Sequence, residues 1–384
     1  PVRPYRRAKK GQHRPQDQPQ LSAARTRTRR VNLTAVEERL IELIEIDSAT
    51  GKEGPICDWL EERLGALGWR VSRYGKALGA QRRNPSNRPR IGLFGHTDVV
   101  TDRAMAPISV DTTTIYGPGC CDMKGGLAAM LIVAEQTALS DDLIAEPVLV
   151  FYDEEEGPIA NNGLLPLLNA CPELADLHLG LCLEPTANQV QLGCVGSVHV
   201  EAVIKGRAGH SARPWEGENA ITKAGALLDR LHALEPRAVD CGGLTFFDTV
   251  VVTAAQGGQS RNSVPAALTL NINLRYVPGR TADEAVAELA RWVGDDASLT
   301  IKDRSDGAPV VTDQPLLDQL IANWDLTVAA KQAWTDVAQL HSLGIPGANF
   351  GPGDPKWAHQ AGERIARADL NRHTQILLGW LCGR

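Results

Sequence analysis

The stretch VLVFYDEEEG, residues 148–157, runs apolar for five residues and then places four acids in succession: Asp153, Glu154, Glu155 and Glu156. Carboxylates crowded at the end of a strand repel one another unless they face open solvent or share a cation. Two other apolar runs end on groups of related chemistry. PRIGLF (89–94) passes into GHTD, and LGLCL (179–183) passes into EPT. With Asp122 from CCDMKGG and His359 from GPGDPKWAH, the collected groups are His96, Asp98, Asp122, Glu154, Glu155, Glu156, Glu184 and His359. Two imidazoles with several carboxylates suit one or two borderline divalent ions, Zn2+ being the commonest choice. Asp122, beside a Gly-Gly pair at the expected start of a helix, is placed to bridge two ions. The spacing His96-Thr97-Asp98 lets Asp98 accept the ring N–H of a metal-bound histidine. Each residue alone has a duller reading: a loop histidine, a helix N-cap at Asp122, a solvated acidic turn at DEEEG. Their joint placement at strand ends favours a cation site.

The elements that must position these groups follow from hydrophobic periodicity. LTAVEERLIELIEI puts Val36, Leu40, Leu43 and Ile44 on one helical face, with Thr34 at its start, and GPICDWLEERLGALG reads as a second helix ending at Gly68. The strand at 89–94, a helix from about Asp122 to Leu139, the strand ending at Tyr152, a helix around 164–170 and the strand at 179–183 then alternate. Such alternation predicts an α/β fold with a doubly wound, mostly parallel sheet, in which ligands bind beyond the carboxyl ends of the strands. From about residue 195 the pattern changes. SVHVEAVIKG alternates, a helix is expected over 219–234, and ALTLNINLRYV puts Leu268, Leu270, Ile272 and Leu274 on one face and Thr269, Asn271, Asn273 and Arg275 on the other. A helix in TADEAVAELARWV and a strand in SLTIKD complete an inserted α+β domain over 195–306, with hinges near 193–196 and 304–307. The α/β pattern resumes at 307–384, so 31–194 and 307–384 form one domain.

Composition excludes several classes. The chain of 384 residues is 43% apolar and 22% charged, ordinary values for a water-soluble globular protein. The longest apolar run, around 127–139, is too short to span a bilayer and contains Glu135. No apolar segment follows the basic start as a secretory signal would, so a cytoplasmic protein is expected. The eight cysteines are scattered without a C-x-x-C and read as buried thiols. Net charge is −6, but residues 1–30 carry ten Lys/Arg against Asp17 alone, which is +9 and leaves −15 on the remainder. Rich in Pro and Gln, 1–30 is expected to be a disordered basic arm or a start-site artefact. It lacks the interleaved aromatics and folded motif that would argue for nucleic acid, which is disfavoured as a partner.

Taken in order, GHTDVV, GPGCCDMKGG, DEEEG, LEPT, KGRAGHSARP, SRNSVP and GPGDPKWAHQAGE resemble the zinc-dependent aminoacylase and carboxypeptidase family with two co-catalytic metals. The resemblance covers the chain from about Leu33 to its end. Within that family, FYDEEEGPIANNG, LEPTANQVQLGCVGS, GHSARPWEGENAI and WTDVAQLHSLGIPGANFGPGDP look like the succinyl-diaminopimelate desuccinylase branch, especially its actinobacterial type. The resemblance implies hydrolysis of N-succinyl-LL-2,6-diaminopimelate, an N-succinylated amino acid of lysine and cell-wall precursor synthesis. It implies two Zn2+, with Co2+ as substitute. His96 and Glu184 would hold one metal, Glu156 and His359 the other, and Asp122 would bridge, with Asp98 orienting His96. The general base of the family is the glutamate before the metal-binding one. Counting back from Asn162-Gly163 makes it Glu155; counting forward from Asp153 makes it Glu154 with Glu155 as ligand. The first is preferred. His210 would stabilise the oxyanion from a partner subunit, so the insert would be a lid and dimerisation domain and the active form a homodimer. Arg275 and Asn262, with Ser197 and Thr335 as weaker candidates, match substrate contacts. Val195 departs from the better-known members, which have an arginine there. The actinobacterial type lacks it too, and one substrate carboxylate is left without a partner.

Two alternatives stand beside this reading. An acetylornithine deacetylase, aminoacylase or dipeptidase would share the metals and differ in the pocket. A non-catalytic metal-binding protein using its basic arm would keep the ligands without needing a base beside them.

Overall fold

The computed structural model describes residues 32–101 and 107–384; the expected arm at 1–30 lies outside the described residues. Leu33–Arg384 forms one compact unit. Its first helix, Ala35–Glu45, starts where the Glu37 carboxylate accepts the Thr34 N–H at 2.9 Å, and it buries Val36, Leu40, Leu43 and Ile44. The second, Gly54–Ala66, is followed by Gly68 at φ +85°, a left-handed turn that glycine adopts without a Cβ clash.

An eight-stranded mixed sheet lies at the centre. Its strands run in the order Arg70–Tyr74, Ala77–Gln81, Glu146–Tyr152, Arg90–His96, Leu179–Cys182, Gly347–Asn349, Val190–Leu192 and Val328–Ala330. Glu146–Tyr152, Arg90–His96, Leu179–Cys182 and Gly347–Asn349 run parallel, the mostly parallel arrangement that strand–helix alternation implies. Both faces are covered. The helix Lys124–Thr137 is buried almost all round, which is why its apolar run looks long without being a membrane span. Among the described residues, no helix is long and apolar enough to cross a membrane. The register pairs His96 with Tyr152 and Phe94 with Cys182, so three strands end at one edge and deliver His96, the Asp153–Glu156 acids and Glu184 together.

A second sheet is antiparallel throughout: Arg237–Cys241, Leu244–Gly257, Ala267–Tyr276, Gly196–Lys205 and Ser298–Ser305. The alternation read in ALTLNINLRYV is realised. Leu268, Leu270, Ile272 and Leu274 join Val198, Val200 and Ile204 in a core closed by Leu227, Leu231 and Leu289. The single helix expected over 219–234 is two, Ala220–Lys223 and Gly225–His232, and the Asn219 side chain caps the first by accepting the Ile221 N–H at 2.9 Å. Two strands went unread, Arg237–Cys241 and Leu244–Gly257. Their hairpin turns at Gly242 and Gly243, both at positive φ. The two segments joining this sheet to the rest run side by side, Cys194 and Ala308 exchanging N–H to carbonyl bonds of 3.0 and 3.1 Å. All eight cysteines are free thiols and five are buried.

Candidate metal centre

His96 is the last residue of its strand and is 1% exposed. Its Nδ1 lies 3.3 Å from Asp98 Oδ1 and its Nε2 lies 3.3 Å from Asp122 Oδ1 and 3.8 Å from Glu184 Oε1. Asp122 turns its other oxygen to His359, with Oδ2 at 3.2 Å from Nε2, and the same Nε2 meets Glu156 Oε1 at 2.6 Å. One carboxylate thus touches both imidazoles. Donor atoms of His96, Asp122 and Glu156 lie within 4.8 Å of one another. Burial works to raise the Asp122 pKa, and the two imidazoles overcome it and hold the carboxyl well below its ordinary value. His359 is pushed up to about 10 by its hydrogen bonds to Asp122 and Glu156. Burial works to lower His96, and Asp122 and Asp98 reverse the sign.

Asp98 is fully buried and has more partners than the histidine. It accepts the backbone N–H groups of Glu155 and Glu156, each at 3.1 Å, and the Thr50 hydroxyl at 3.1 Å. It therefore fixes both the ring of His96 and the turn that presents the acids. Burial tends to raise its pKa, and these donors with His96 bring it below the ordinary value.

The four acids of DEEEG diverge. Glu154, at φ +54°, sends its carboxylate to Lys76 Nζ at 2.9 Å, and Asp153 Oδ2 lies 3.4 Å from the same ammonium. Glu155 and Glu156 point instead into a cavity of about 440 Å3 that Asp122, Glu184 and His359 also line. Desolvation lifts the Glu155 pKa well above the carboxylate range; His96 opposes this, and Glu184, Asp336 and Glu156 add to it. Desolvation and the Asp122 charge lift Glu184 to about 7. The match at Asn162-Gly163 has a physical reason: a Cβ at Gly163 would come within 1.9 Å of the Asp153 carboxylate.

The second sheet forms part of the same cavity. Arg275 and Ser197 line it, and Arg275 donates its Nε–H to Asn273 Oδ1 at 3.1 Å. Thr335 also lines it, its buried hydroxyl without a hydrogen-bond partner among the described residues. His210 and Asn262 do not. They sit together on an exposed two-stranded ribbon, where the Ser211 N–H donates to the Asn262 carbonyl at 3.0 Å. A larger cavity of about 710 Å3 shares only Ile159, Ser305 and Trp334 with this one and includes none of the acid–imidazole cluster.

Two contributors escaped the sequence reading. The buried Glu363 carboxylate accepts the N–H groups of Gly119, Cys121 and Asp122, each at 2.9 Å, and so shapes the loop that aims Asp122. Its signal was its place in the GPGDPKWAHQAGE motif. Lys331 lines the cavity from the core side and had no signal of its own.

A family model for a peptidase dimerisation domain of the M20 type matches residues 192–299. A Mycobacterium tuberculosis protein described as a putative succinyl-diaminopimelate desuccinylase is 35% identical over 349 residues, spanning 89% of this chain and 96% of its own. A Corynebacterium glutamicum succinyl-diaminopimelate desuccinylase is 32% identical, over 88% and 94%. An acetylornithine deacetylase of Myxococcus xanthus is 27% identical, over 90% and 96%. Among solved structures, an M20 family metallo-carboxypeptidase of Sulfolobus solfataricus superposes with a TM-score of 0.74 at 16% identity, covering 91% and 99%, a likeness of fold.

Proposed function

The chain belongs to the succinyl-diaminopimelate desuccinylase family of M20 metallopeptidases, and we propose that its acid–imidazole cluster holds two divalent cations and cleaves N-succinyl-LL-2,6-diaminopimelate to succinate and LL-2,6-diaminopimelate. The observation that carries this reading is the cluster itself, in a chain related over nearly nine-tenths of its length to desuccinylases. The donors fit such ions. Glu184 Oε1 is buried with no hydrogen-bond partner among the described residues, and desolvation, with neighbouring carboxylates adding to it, raises the pKa of Glu155 and of Glu184, a penalty that a cation would relieve. His96 and Glu184 would hold one ion, Glu156 and His359 the other, with Asp122 between them. Zn2+ suits this mixture of nitrogen and oxygen donors, and Co2+ is its substitute.

When bound, the ions supply Lewis acidity to the amide carbonyl and acidify an attacking water. Glu155 accepts the proton of that water and later returns it to the departing amine nitrogen. Asp98 keeps the His96 ring in one orientation and one tautomer. Arg275, Ser197 and Thr335, which line the cavity, bind and orient the substrate, and Asn262, beside His210 on the exposed ribbon, would reach it only from the partner subunit.

Residues 195–306 act as a lid and dimerisation domain on the catalytic domain 31–194 and 307–384. In the homodimer, His210 reaches the partner's site and donates to the developing oxyanion. Removing such a donor costs about 2.7–4 kcal/mol of transition-state stabilisation.

Succinate release by the zinc-reconstituted protein, assayed beside N-acetylornithine and a simple dipeptide, tests the reading. Activity confined to the succinyl substrate is expected. Preferential hydrolysis of N-acetylornithine would move the protein to the deacetylase role of its Myxococcus relative, and no hydrolysis of any of the three would contradict the catalytic reading.

A further inference from the structure

Lys331 follows directly on the edge strand Val328–Ala330, which runs antiparallel to the strands that end at the cluster, and it lines the 440 Å3 cavity beside Thr335. It is 7% exposed, and its backbone N–H donates to the Leu192 carbonyl at 3.3 Å. Its ammonium has no hydrogen bond or ion pair with any described residue, although the residue lines the 440 Å3 cavity. An ammonium that lines a cavity without a fixed hydrogen-bond partner is open to an anion that enters it.

The neighbourhood explains why the charge comes from here. Val195 is wholly buried in an apolar cluster with Phe246 and Val277, and Ala330 packs against that cluster. Position 195 therefore offers the cavity no cation, and the residue after Ala330 does. Arg275 supplies the other cation of the cavity, from a strand of the second sheet. Apart from the imidazoles, the described lining thus carries two cations, Lys331 and Arg275, the second on a strand of the other sheet, with Asp122, Glu155, Glu156, Glu184 and Asp303 on it as well. An amide that joins a dicarboxylic acyl group to an amino acid carries carboxylates on both sides of the scissile bond. Two separate cations match that distribution of charge.

We propose that Lys331 is a specificity-determining residue that binds the free carboxylate of the acyl group, while Arg275 binds a carboxylate on the amine side. The proposal rests on the desuccinylase reading and deepens it: the pocket selects dicarboxylic acyl groups over neutral ones. The competing role is a counter-charge for Glu184, whose pKa Lys331 helps to lower against the effect of burial. That role would make Lys331 matter equally for every acyl group.

The test compares zinc-loaded wild type, Lys331→Met and Lys331→Arg on N-succinyl-LL-2,6-diaminopimelate and on its N-succinamoyl analogue, in which the acyl carboxylate is a neutral amide of the same shape. In Lys331→Met the succinyl-to-succinamoyl ratio of kcat/KM is expected to fall about 100-fold, mainly through KM, the scale of unpairing a buried charge. Lys331→Arg should recover part of it. An unchanged ratio, with both substrates losing equally or zinc content falling, would overturn the proposal. Calorimetry of succinate against succinamate gives a readout independent of turnover and of variant folding: wild type should bind succinate more tightly, and equal binding would contradict the proposal. A wild type that binds succinate selectively yet hydrolyses no succinyl amide would sink the desuccinylase reading and leave the Lys331 assignment standing.

Discussion

One acidic turn feeds two clusters that are neutralised differently. Asp153 and Glu154 join Glu53 around Lys76, whose Nζ meets Glu53 Oε2 at 2.6 Å and Glu154 Oε1 at 2.9 Å. Glu155 and Glu156, the next residues, join Asp122, Glu184 and two histidines, where, among the described residues, imidazoles offset the carboxylates at close range. Both groups bring acid oxygens close enough to hold an ion. The first already contains a cation supplied by the chain, and the side chains are committed to it. The second has a buried Glu184 oxygen without a hydrogen-bond partner among the described residues, and carboxyls whose pKa is raised by desolvation and by their neighbours' charge. Proximity of acids therefore does not mark a metal centre. What marks it is a charge that the chain has not balanced.

The sharpest way to separate the two clusters is to neutralise adjacent acids. Glu155→Gln should lower kcat by about 10²–10⁴-fold with zinc content retained, the usual contribution of a positioned proton carrier. Glu154→Gln should leave kcat within a factor of about three, since it faces Lys76. Comparable losses in both variants would erase the distinction.

The next effect concerns the frame of the second cluster. Asp98→Asn keeps the size of the side chain but weakens its hold on His96 and on the Glu155 and Glu156 N–H groups. Zinc affinity should fall about 10–100-fold, measured by competition with a chelator. Unchanged affinity would make Asp98 a turn residue alone.

How much of this was readable in advance follows from the same two clusters. The grouping of His96, the DEEEG acids and Glu184 was legible, because strands ending on GHTD, DEEEG and EPT are forced to one edge by a parallel sheet. The division of the acids did not. It depends on the left-handed turn at Glu154 and on Lys76, which sits in the hairpin Arg70–Tyr74/Ala77–Gln81, a pair of strands whose short sequences between two longer elements gave no clear alternation. Arg237–Cys241 and Leu244–Gly257 were missed for a related reason. Of the fourteen residues in the second strand only Phe246 is buried, so no two-residue period marks it, and the Gly242-Gly243 turn was the one available signal. Lys331 was invisible because a lysine after a short edge strand is usually solvated, and only tertiary packing makes this one buried.

Smaller effects belong to the acids that the chain does balance. Lys76→Met leaves buried Glu53 without its cation and should destabilise the protein by about 3 kcal/mol in urea unfolding. Zinc content should not change. Added zinc retained at Glu53, Asp153 and Glu154 in this variant would show that Lys76 alone kept a metal out.

The mildest case is Glu37, whose carboxylate pairs with Arg367 at 2.8 Å on the outer side of the core. Burial works to raise its pKa, and hydrogen bonds from Arg367, the Thr34 N–H and Asn371 outweigh that and bring it below the ordinary 4.5. A carboxyl depressed in the folded state stabilises above its unfolded pKa, and that contribution is lost as pH falls through the folded value. The stability gap between wild type and Glu37→Gln should therefore be present at neutral pH and close in acid below about pH 4. A gap that persists unchanged into acid would mean that the substitution acts through packing.

The imidazole-containing cluster, and not its neighbour around Lys76, is the metal centre proposed for this chain. Anomalous diffraction from crystals grown with zinc tests it most directly. The account predicts two peaks, one beside His96 and Glu184 and one beside Glu156 and His359, with Asp122 between them and none at Glu53, Asp153 and Glu154. Zinc beside Lys76, or no zinc at His96 and His359, would contradict it.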